Sequence, residues 1–354
     1  MVERYELSPL PGLFQGIAPD FVVPDPFDAP TLRWGILGAG SIAGAFAWQV
    51  SQYSSQQIAG VGSRDIQRAR SFVVEHGVGG ATPYGSYEEL VADADIDIVY
   101  VATPHIRHYQ DALLALRAGK SVLVEKAFTM DAGQAKRLFD EAERRELFAM
   151  EAMWSRHLPH YRFLAEAVNS NALGQLRQLT ADHSQAISHV PRLFRPDLGG
   201  GALLDLGVYC LHLQQMLLGV PQGFASVTRL AETGVDAADA VLSRYPRALA
   251  SVTCAMDCRG SNQATLAFEK GRIGLEPPFY APGLVSLSVG DDQEVWDARV
   301  PGGLQYQVAD AAAAVVRGKI ESEVVTWQDT LDVMGLMDAV LAAGGVAHPK
   351  VESM

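Results

Sequence analysis

The chain has 354 residues, of which 48% are hydrophobic and 19% charged, a composition typical of a soluble globular protein with two domains. Acidic residues outnumber basic ones by 41 to 28, and the net charge of −13 excludes a nucleic-acid partner, because binding to phosphates needs a basic surface. No apolar stretch reaches the length of a membrane span, so we expect no membrane partner.

Residues 1–30 are predicted to form an N-terminal, proline-rich arm. They lack the basic segment followed by an apolar segment that marks a secretory signal. Two interpretations stay open for this arm: a poorly ordered terminus, or an extended segment that packs over this subunit or a neighbour.

Residues 31–153 alternate between short apolar runs and helical stretches, which predicts an N-terminal Rossmann domain with a doubly wound parallel sheet. The predicted strands are Arg33–Leu37, Gln57–Gly62, Asp97–Ala102, Ser121–Glu125 and Leu147–Met150. The predicted helices between them are Ile42–Gln52, Asp65–His76, Ile106–Ala118 and Asp131–Arg145.

Residues 154–345 contain strand-length segments in succession, which predicts a C-terminal α+β domain with a large, mainly antiparallel open sheet. The predicted strands are Leu176–Ser184, Ala225–Leu230, Ala238–Ser243, Leu249–Met256, Gln263–Phe268, Arg272–Glu276 and Leu284–Val289. The predicted helices are Pro159–Asn169, Ala202–Leu218, Gln305–Arg317 and Trp327–Ala343. Residues 346–354 are predicted to form a C-terminal tail.

The turn after the first strand matches the dinucleotide-binding fingerprint G-x-G-x-x-A. Gly38 permits the tight turn, Gly40 lets a pyrophosphate approach the backbone, and Ala43 keeps the helix close to the strand. Ser41 and Ile42 open that helix, whose unpaired N–H groups attract an anion. We therefore predict that this turn binds a nicotinamide dinucleotide.

The end of the second strand indicates which dinucleotide is bound. An acidic residue there would hold the ribose 2′-hydroxyl of NAD, whereas Ser63 and Arg64 are suited to the 2′-phosphate of NADP. Asp65 is expected to cap the helix that begins at Ile66. The sequence therefore favours NADP over NAD.

Four later segments resemble the GFO/IDH/MocA family, within it the branch of dihydrodiol dehydrogenases and NADP-dependent D-xylose dehydrogenases. The segments are Val101–His108, Ala118–Lys126, Glu151–Pro159 and Gly199–Tyr209. The resemblance covers residues 31–345 and implies an NAD(P)-binding Rossmann domain followed by a domain with an open antiparallel sheet. It also implies a homodimer through that sheet, which would cover an exposed apolar face.

The resemblance implies hydride transfer with Tyr209 as the acid/base. A free tyrosine has a pKa of about 10, too high for a base near neutrality, and a nearby lysine ammonium lowers it. Lys126, at the end of a buried strand, is expected to supply that charge and to donate to the substrate oxygen. Asp205, four residues before Tyr209, is expected on the same helical face. Direct substrate contact and a supporting role are both open for Asp205.

Thr103, Pro104 and His105 lie where the nicotinamide half is expected to cross the strand ends, and Glu125 and Lys126 are also expected to contact the cofactor. The resemblance implies that Trp154 and Arg156 face the cofactor or the substrate; without it, Trp154 would be interpreted as a core residue at the domain junction. Glu125 is expected to orient Lys126 or the nicotinamide end rather than to react. His108 is interpreted as a residue of the helix start. For His183, Phe279 and Tyr280, ordinary packing is preferred over a role in a pocket.

The sequence departs from the family at one position, where Glu-Lys-Pro becomes Glu125-Lys126-Ala127. Cis peptide bonds are essentially a property of proline. We therefore expect a trans bond before Ala127, or a strained one if it is cis.

The combined prediction is an NADP-dependent oxidoreductase that acts on a small polyhydroxylated substrate, an aldose or a cyclic diol. Two alternatives stay open: a keto- or anhydro-sugar reductase in the same fold, and a non-catalytic NADPH-binding regulatory protein. No cluster of side chains has metal-site spacing, so a metal-free reaction is expected. The three cysteines, Cys210, Cys254 and Cys258, favour buried free thiols and a cytoplasmic location.

Overall fold

The computed structural model describes residues 4–346, which divide into two compact units. The first unit contains Pro24–Trp154 and Gly302–Met334. The second contains Tyr5–Val23, Ser155–Pro301 and the residues from 335 on, and its first helix is α1 (Gly12–Ile17). The tail predicted at 346–354 lies outside the described residues from position 347.

The first unit is built on a six-stranded parallel sheet. Its strands are β1 (Arg33–Leu37), β2 (Gln57–Gly62), β3 (Thr82–Tyr84), β4 (Ile98–Val101), β5 (Ser121–Glu125) and β6 (Ala149–Ala152). They lie in the order β3-β2-β1-β4-β5-β6, and every neighbouring pair is parallel. The order reverses between β1 and β4. In such sheets, ligands bind at the carboxyl ends of the strands near this reversal.

Three of the helices that follow these strands begin at side-chain caps. The helices of this part of the chain are α2 (Ser41–Tyr53), α3 (Ile66–Glu75), α4 (Tyr87–Ala92), α5 (His105–Arg117) and α6 (Ala132–Arg144). Asp65, Ser86 and Asp131 each accept a hydrogen bond from a backbone N–H in the first turn of α3, α4 and α6. The sequence did not predict β3 or α4, because a three-residue strand and a six-residue helix are too short to show a period.

The second unit contains an eight-stranded sheet with helices α7 (Pro159–Asn169) and α8 (Val208–Leu218). Its strands are β7 (Leu176–Ser184), β8 (Gly223–Leu230), β9 (Asp236–Arg244), β10 (Leu249–Ala255), β11 (Ala264–Phe268), β12 (Gly271–Leu275), β13 (Leu284–Val289) and β14 (Asp292–Asp297). The strand order is β14-β13-β12-β11-β7-β10-β9-β8, and all neighbours are antiparallel except β7 and β10. The predicted fold class is therefore confirmed.

One face of this sheet is covered and the other is open. Helix α8 packs against β7 and β10 and is largely buried. On the other face, exposed residues alternate along the strands and include Val227, Leu242 and Leu249. Two helices complete the chain: α9 (Leu304–Val316) in the first unit, and α10 (Trp327–Ala343), which begins in the first unit.

The arm at residues 5–23 is folded onto the second unit. Phe14 is fully buried, with its ring centroid 5.2 Å from that of Phe163, and Phe21 lies edge-on to Trp296 at 5.7 Å. The Trp296 indole donates a hydrogen bond to the Ser8 carbonyl oxygen. The interpretation as a poorly ordered terminus is therefore wrong for these residues, because the arm supplies two aromatic side chains to a buried cluster.

Candidate active site

The turn between β1 and α2 has the geometry of a phosphate-binding loop. Gly38 has a φ of 106°, and a Cβ on it would lie 2.7 Å from the Ala102 carbonyl oxygen, so only glycine fits. Gly40 has an extended backbone, and apart from Gly40 and its two chain neighbours no heavy atom of the described residues lies within 4 Å of where its Cβ would stand. Ser41 and Ile42 are exposed and begin α2. This open space before a helix N-terminus fits a dinucleotide pyrophosphate.

A hydroxyl and two arginines lie near the end of β2. Ser63 is buried, and its Oγ accepts a hydrogen bond from the Asp65 N–H, while Arg64 is exposed. The Asp65 side chain caps α3, which confirms that prediction. Arg68 donates to the Ala39 carbonyl oxygen of the glycine turn at 3.4 Å. Sequence reasoning missed Arg68, which lies in the first turn of α3, where a cation near the glycine turn could have been considered.

The end of β4 presents a buried hydroxyl that fits a cofactor contact. Thr103 is buried, and its Oγ1 has no hydrogen-bond partner among residues 4–346. Pro104 is exposed and precedes α5, which begins at His105. Since buried hydroxyls are normally hydrogen-bonded, the Thr103 oxygen is suited to a ligand group.

The end of β5 holds Glu125 and Lys126 in different environments. Glu125 is buried, and its carboxylate accepts hydrogen bonds from the Tyr100 hydroxyl at 2.5 Å and from the Lys126 backbone N–H at 3.2 Å. Burial raises the pKa of Glu125, and the Tyr100 hydrogen bond and the Lys126 charge oppose that shift. Lys126 is partly exposed. The carboxylate therefore holds the backbone from which the Lys126 side chain extends.

The peptide bond between Lys126 and Ala127 is cis, so the predicted trans bond is wrong. Buried side chains contact the backbone on both sides of this bond. The Lys126 carbonyl oxygen lies 3.1 Å from His105 Nε2, and the Ala127 carbonyl oxygen lies 2.9 Å from His108 Nδ1. The next backbone N–H, of Phe128, donates to Glu151 Oε1. Side chains from distant parts of the sequence thus bind three successive backbone groups.

His108 links the ends of two neighbouring strands. Its ring is buried, with Nε2 2.7 Å from the Thr103 carbonyl oxygen after β4 and Nδ1 near the Ala127 carbonyl oxygen after β5. Burial lowers the pKa of His108, and the two carbonyl contacts oppose that shift. The sequence placed His108 correctly near the start of α5, but it did not indicate the contacts of its ring with the two carbonyl oxygens.

Trp154 and Arg156 lie in one short 3₁₀ helix, Trp154–His157. Trp154 is partly exposed and is the last residue of the segment Pro24–Trp154 in the first unit. Arg156 is buried in the second unit and donates to Gln215 Oε1 at 3.2 Å. Their proposed contact with the cofactor or substrate stays a prediction.

Asp205 and Tyr209 lie at a change of helix type. The predicted helix at 202–218 is a π-helical turn, Leu203–Gly207, followed by α8. Gly207 has no side chain, which lets the wider turn pack against Cys254, since a Cβ would stand 2.9 Å from its sulfur. Asp205 is buried and pairs with Arg192 at 3.2 Å, a partner that sequence reasoning missed.

Aromatic side chains surround Tyr209. The His183 ring lies 5.1 Å from Tyr209, and the Tyr280 ring lies 5.0 Å from it and stacks on His183 at 4.1 Å. His183 Nδ1 donates to the Leu206 carbonyl oxygen at 3.0 Å, and Gln185 bridges His183 Nε2 and the Tyr280 hydroxyl. These side chains pack together around the proposed acid/base, and the choice between packing and a role in a pocket stays a prediction.

The predicted site residues therefore form two groups. The first unit brings together the residues at the carboxyl ends of β1, β2, β4 and β5, and the second holds Arg156, Asp205 and Tyr209. Within residues 4–346 no group of three or more ligand side chains could hold a metal ion. In the same range no helix is both long and apolar enough to cross a membrane. Cys258 is exposed, contrary to its predicted burial, whereas Cys210 and Cys254 are buried free thiols.

Two family descriptions match the chain. Residues 32–153 match the N-terminal domain of the GFO/IDH/MocA family, described as an oxidoreductase family with an NAD-binding Rossmann fold. Residues 161–274 match the GFO/IDH/MocA C-terminal domain.

Named relatives span nearly the whole chain. Trans-1,2-dihydrobenzene-1,2-diol dehydrogenase of Sus scrofa is 33% identical over 333 residues, covering 90% of this chain and 98% of that protein. D-xylose 1-dehydrogenase (NADP(+)) of Hypocrea jecorina is 34% identical over 369 residues, covering 91% and 94%. KijD10, a 3-ketoreductase from Actinomadura kijaniata solved with NADP and TDP-benzene, is 28% identical with a TM-score of 0.79, covering 88% and 98%.

Proposed function

The chain belongs to the GFO/IDH/MocA oxidoreductase family, and we propose that it transfers a hydride between NADP(H) and a secondary alcohol or hemiacetal carbon of a small sugar or cyclic diol. The observation that carries this proposal is the open glycine turn before α2, with Ser63 and Arg64 near it on the sheet edge. The dihydrodiol and xylose dehydrogenases support the substrate class.

Residues of the first unit are assigned to the cofactor. Gly38, Gly40, Ser41 and Ile42 receive the pyrophosphate, because the N-terminus of α2 offers backbone N–H donors there. Ser63 and Arg64 receive the 2′-phosphate, supported by the NADP named for the xylose dehydrogenase and for KijD10. The bound nicotinamide accepts or gives the hydride. Further cofactor contacts are assigned to Thr103, Pro104, His105, Glu125, Lys126, Trp154 and Arg156.

Tyr209 is assigned as the acid/base and Lys126 as its electrostatic partner. Tyr209 takes the proton of the substrate hydroxyl during oxidation and returns it during reduction. The Lys126 ammonium favours the phenolate form of Tyr209 and donates to the substrate oxygen. Asp205 is assigned to contact or orient the substrate. The packing of His183 and Tyr280 around Tyr209 supports a fixed orientation of the phenol.

Paired substitutions test this assignment. Lys126→Met and Tyr209→Phe should each abolish turnover of a panel of aldoses and cyclic diols while NADPH fluorescence still reports binding. Lys136→Met removes an exposed lysine paired with Asp140 and should leave turnover unchanged. Near wild-type turnover in either site variant would refute the mechanism. NADPH binding without turnover of any substrate by the wild type would favour the regulatory alternative.

A second candidate is reduction of keto- or anhydro-sugars by the same residues. The likeness to KijD10, a 3-ketoreductase, favours it. Assays with NADPH and ketosugars, run beside assays with NADP and aldoses, separate the two directions by their ratio of kcat/KM.

We further propose a homodimer through the open face of the eight-stranded sheet. Val227, Leu242 and Leu249 are between 49% and 75% exposed on strands β8, β9 and β10, and a second copy would cover them. Sedimentation should give a dimer for the wild type and a monomer for Leu242→Glu. Val74→Glu changes an exposed valine of α3 and should stay dimeric. A monomeric wild type at micromolar concentration contradicts the proposal.

Two organisational assignments complete the proposal. Residues 31–153 are assigned to the nucleotide-binding domain and residues 154–301 to the substrate and dimerisation domain. Residues 302–334, predicted in the second domain, belong instead to the first compact unit. A cytoplasmic location is supported by three free cysteines.

A further inference from the structure

A bulge in β9 places two carboxyl groups on one face of the second unit's sheet. Residues three apart on a regular strand point to opposite faces. Here Arg229 pairs with Ala238 and Leu230 with Asp236, so Ala237 is an extra residue without a partner on β8. Asp236 and Asp239 therefore face the same side, where both are buried.

The two carboxyl groups are buried neighbours that interact electrostatically. Asp239 Oδ1 accepts a hydrogen bond from the Thr228 hydroxyl at 2.7 Å, and Asp236 Oδ1 has no hydrogen-bond partner among residues 4–346. Two buried carboxylates in contact repel each other, so one of them keeps a proton. Burial and the charge of Asp239 raise the pKa of Asp236 to about 8, so the pair keeps a proton at neutral pH.

This acid pair anchors the turn that carries Asp205. Asp236 Oδ2 accepts a hydrogen bond from the Leu203 N–H, the first residue of the π-helical turn, at 2.6 Å. The approach requires Gly201, whose φ is 132° and on which a Cβ would clash with the Asp236 carboxyl. At the other end of the turn, His183 donates to the Leu206 carbonyl oxygen.

We propose that Asp236, beside Asp239, is a positioning residue that holds the π-helical turn and thereby sets the placement of Asp205 and Tyr209 for the reaction. The inference rests on the proposed function, because only that function gives Asp205 and Tyr209 a role in the reaction. The titratable groups that interact with Asp236 are Asp239 on its own strand and Cys254 on β10, while Asp205 on the turn is paired with Arg192.

Two substitutions separate positioning from general stability. Asp236→Asn keeps an acceptor for the Leu203 N–H and a donor to Asp239, whereas Asp236→Leu keeps neither. Asp236→Leu should lower kcat about a hundredfold with little change in KM for NADP, because a misplaced acid/base affects only the chemical step. Asp236→Asn should restore kcat to near the wild-type value.

The pH dependence of kcat also tests the proposal, because a purely structural role of Asp236 would not change it. Wild-type kcat should fall as the pair loses its proton near pH 8, because two neighbouring carboxylates then repel each other and move the Asp236 acceptor away from the Leu203 N–H. Asp236→Asn should lack that limb because it cannot ionise. The matched control is Asp297→Asn, which changes a carboxylate of β14 that also accepts a backbone N–H, and should behave as wild type.

The outcomes distinguish this inference from the proposed function. Wild-type kcat in a folded Asp236→Leu protein, or equal losses in both Asp236 variants, overturns the positioning role. If Asp236→Leu does not fold, an alkaline limb shared by Asp236→Asn and the wild type overturns it, and its loss supports it. Turnover retained by Tyr209→Phe instead overturns the proposed function.

Discussion

Alanine substitutions at Gly38 and Gly40 should separate folding stability from cofactor binding. At Gly38 the positive φ costs about 1–2 kcal/mol in alanine. The contact of its Cβ with the Ala102 carbonyl oxygen at 2.7 Å raises the total to about 3 kcal/mol. At Gly40 the backbone is extended and the space is open, so the free energy of unfolding should change by less than about 1 kcal/mol.

NADPH binding, unlike stability, should be weakened more by Gly40→Ala than by Gly38→Ala. The Cβ of Gly40→Ala would occupy the space assigned to the pyrophosphate. Losing one charge-assisted hydrogen bond there costs about 1.5–3 kcal/mol, so NADPH should bind at least about tenfold more weakly. Urea unfolding and NADPH fluorescence titration measure the two effects. Gly79→Ala, at an open position outside the turn, is the matched control and should change neither.

Two results would refute this reasoning. Wild-type NADPH affinity in Gly40→Ala would show that the space before α2 does not receive the cofactor. A loss of stability in Gly40→Ala equal to that in Gly38→Ala would show that the described turn geometry is wrong.

Three further predictions concern charge, packing and pH. Arg64→Ala should lower kcat/KM for NADP about tenfold and leave the value for NAD unchanged, with Arg70→Ala as a neutral control. Phe14→Ala should lower the free energy of unfolding by about 3–5 kcal/mol, because its ring is fully buried; an unchanged urea midpoint would contradict the packed arm. The raised pKa of Asp236, about 8, means that its contribution to stability is present below pH 4 and is lost as pH rises towards 8. Asp236→Asn should therefore become more stable relative to the wild type across that range, as urea midpoints at pH 5 and 8 will show.

The sequence predicted the elements that are determined locally. Strands β1, β2 and β5 have the predicted bounds, because each is an apolar run ended by loop residues. Asp65 caps α3 as expected, since a cap depends only on residues nearby in sequence. The glycine turn was predicted for the same reason.

The features that the sequence could not show depend on distant partners. The cis bond at Lys126 is surrounded by His105, His108 and Glu151, and residue type alone favours trans. The bulge that turns Asp236 towards Asp239 exists only in the pairing of β9 with β8. The alternation of apolar and polar residues along one segment does not indicate how that segment pairs with another strand.

The order of segments in the first unit has a consequence for how the chain is made. Helix α9 packs against α2, and the Leu304 N–H donates to Gln49 Oε1 at 3.0 Å, so residues synthesised near the end cover a helix synthesised near the beginning. Domains generally fold as units while the ribosome extends the chain. The nucleotide-binding unit cannot complete its fold until residues 302–334 have emerged, because one side of α2 stays uncovered before then. A ribosome that stops after residue 301 would therefore release a chain whose nucleotide-binding unit is incomplete and open to proteases.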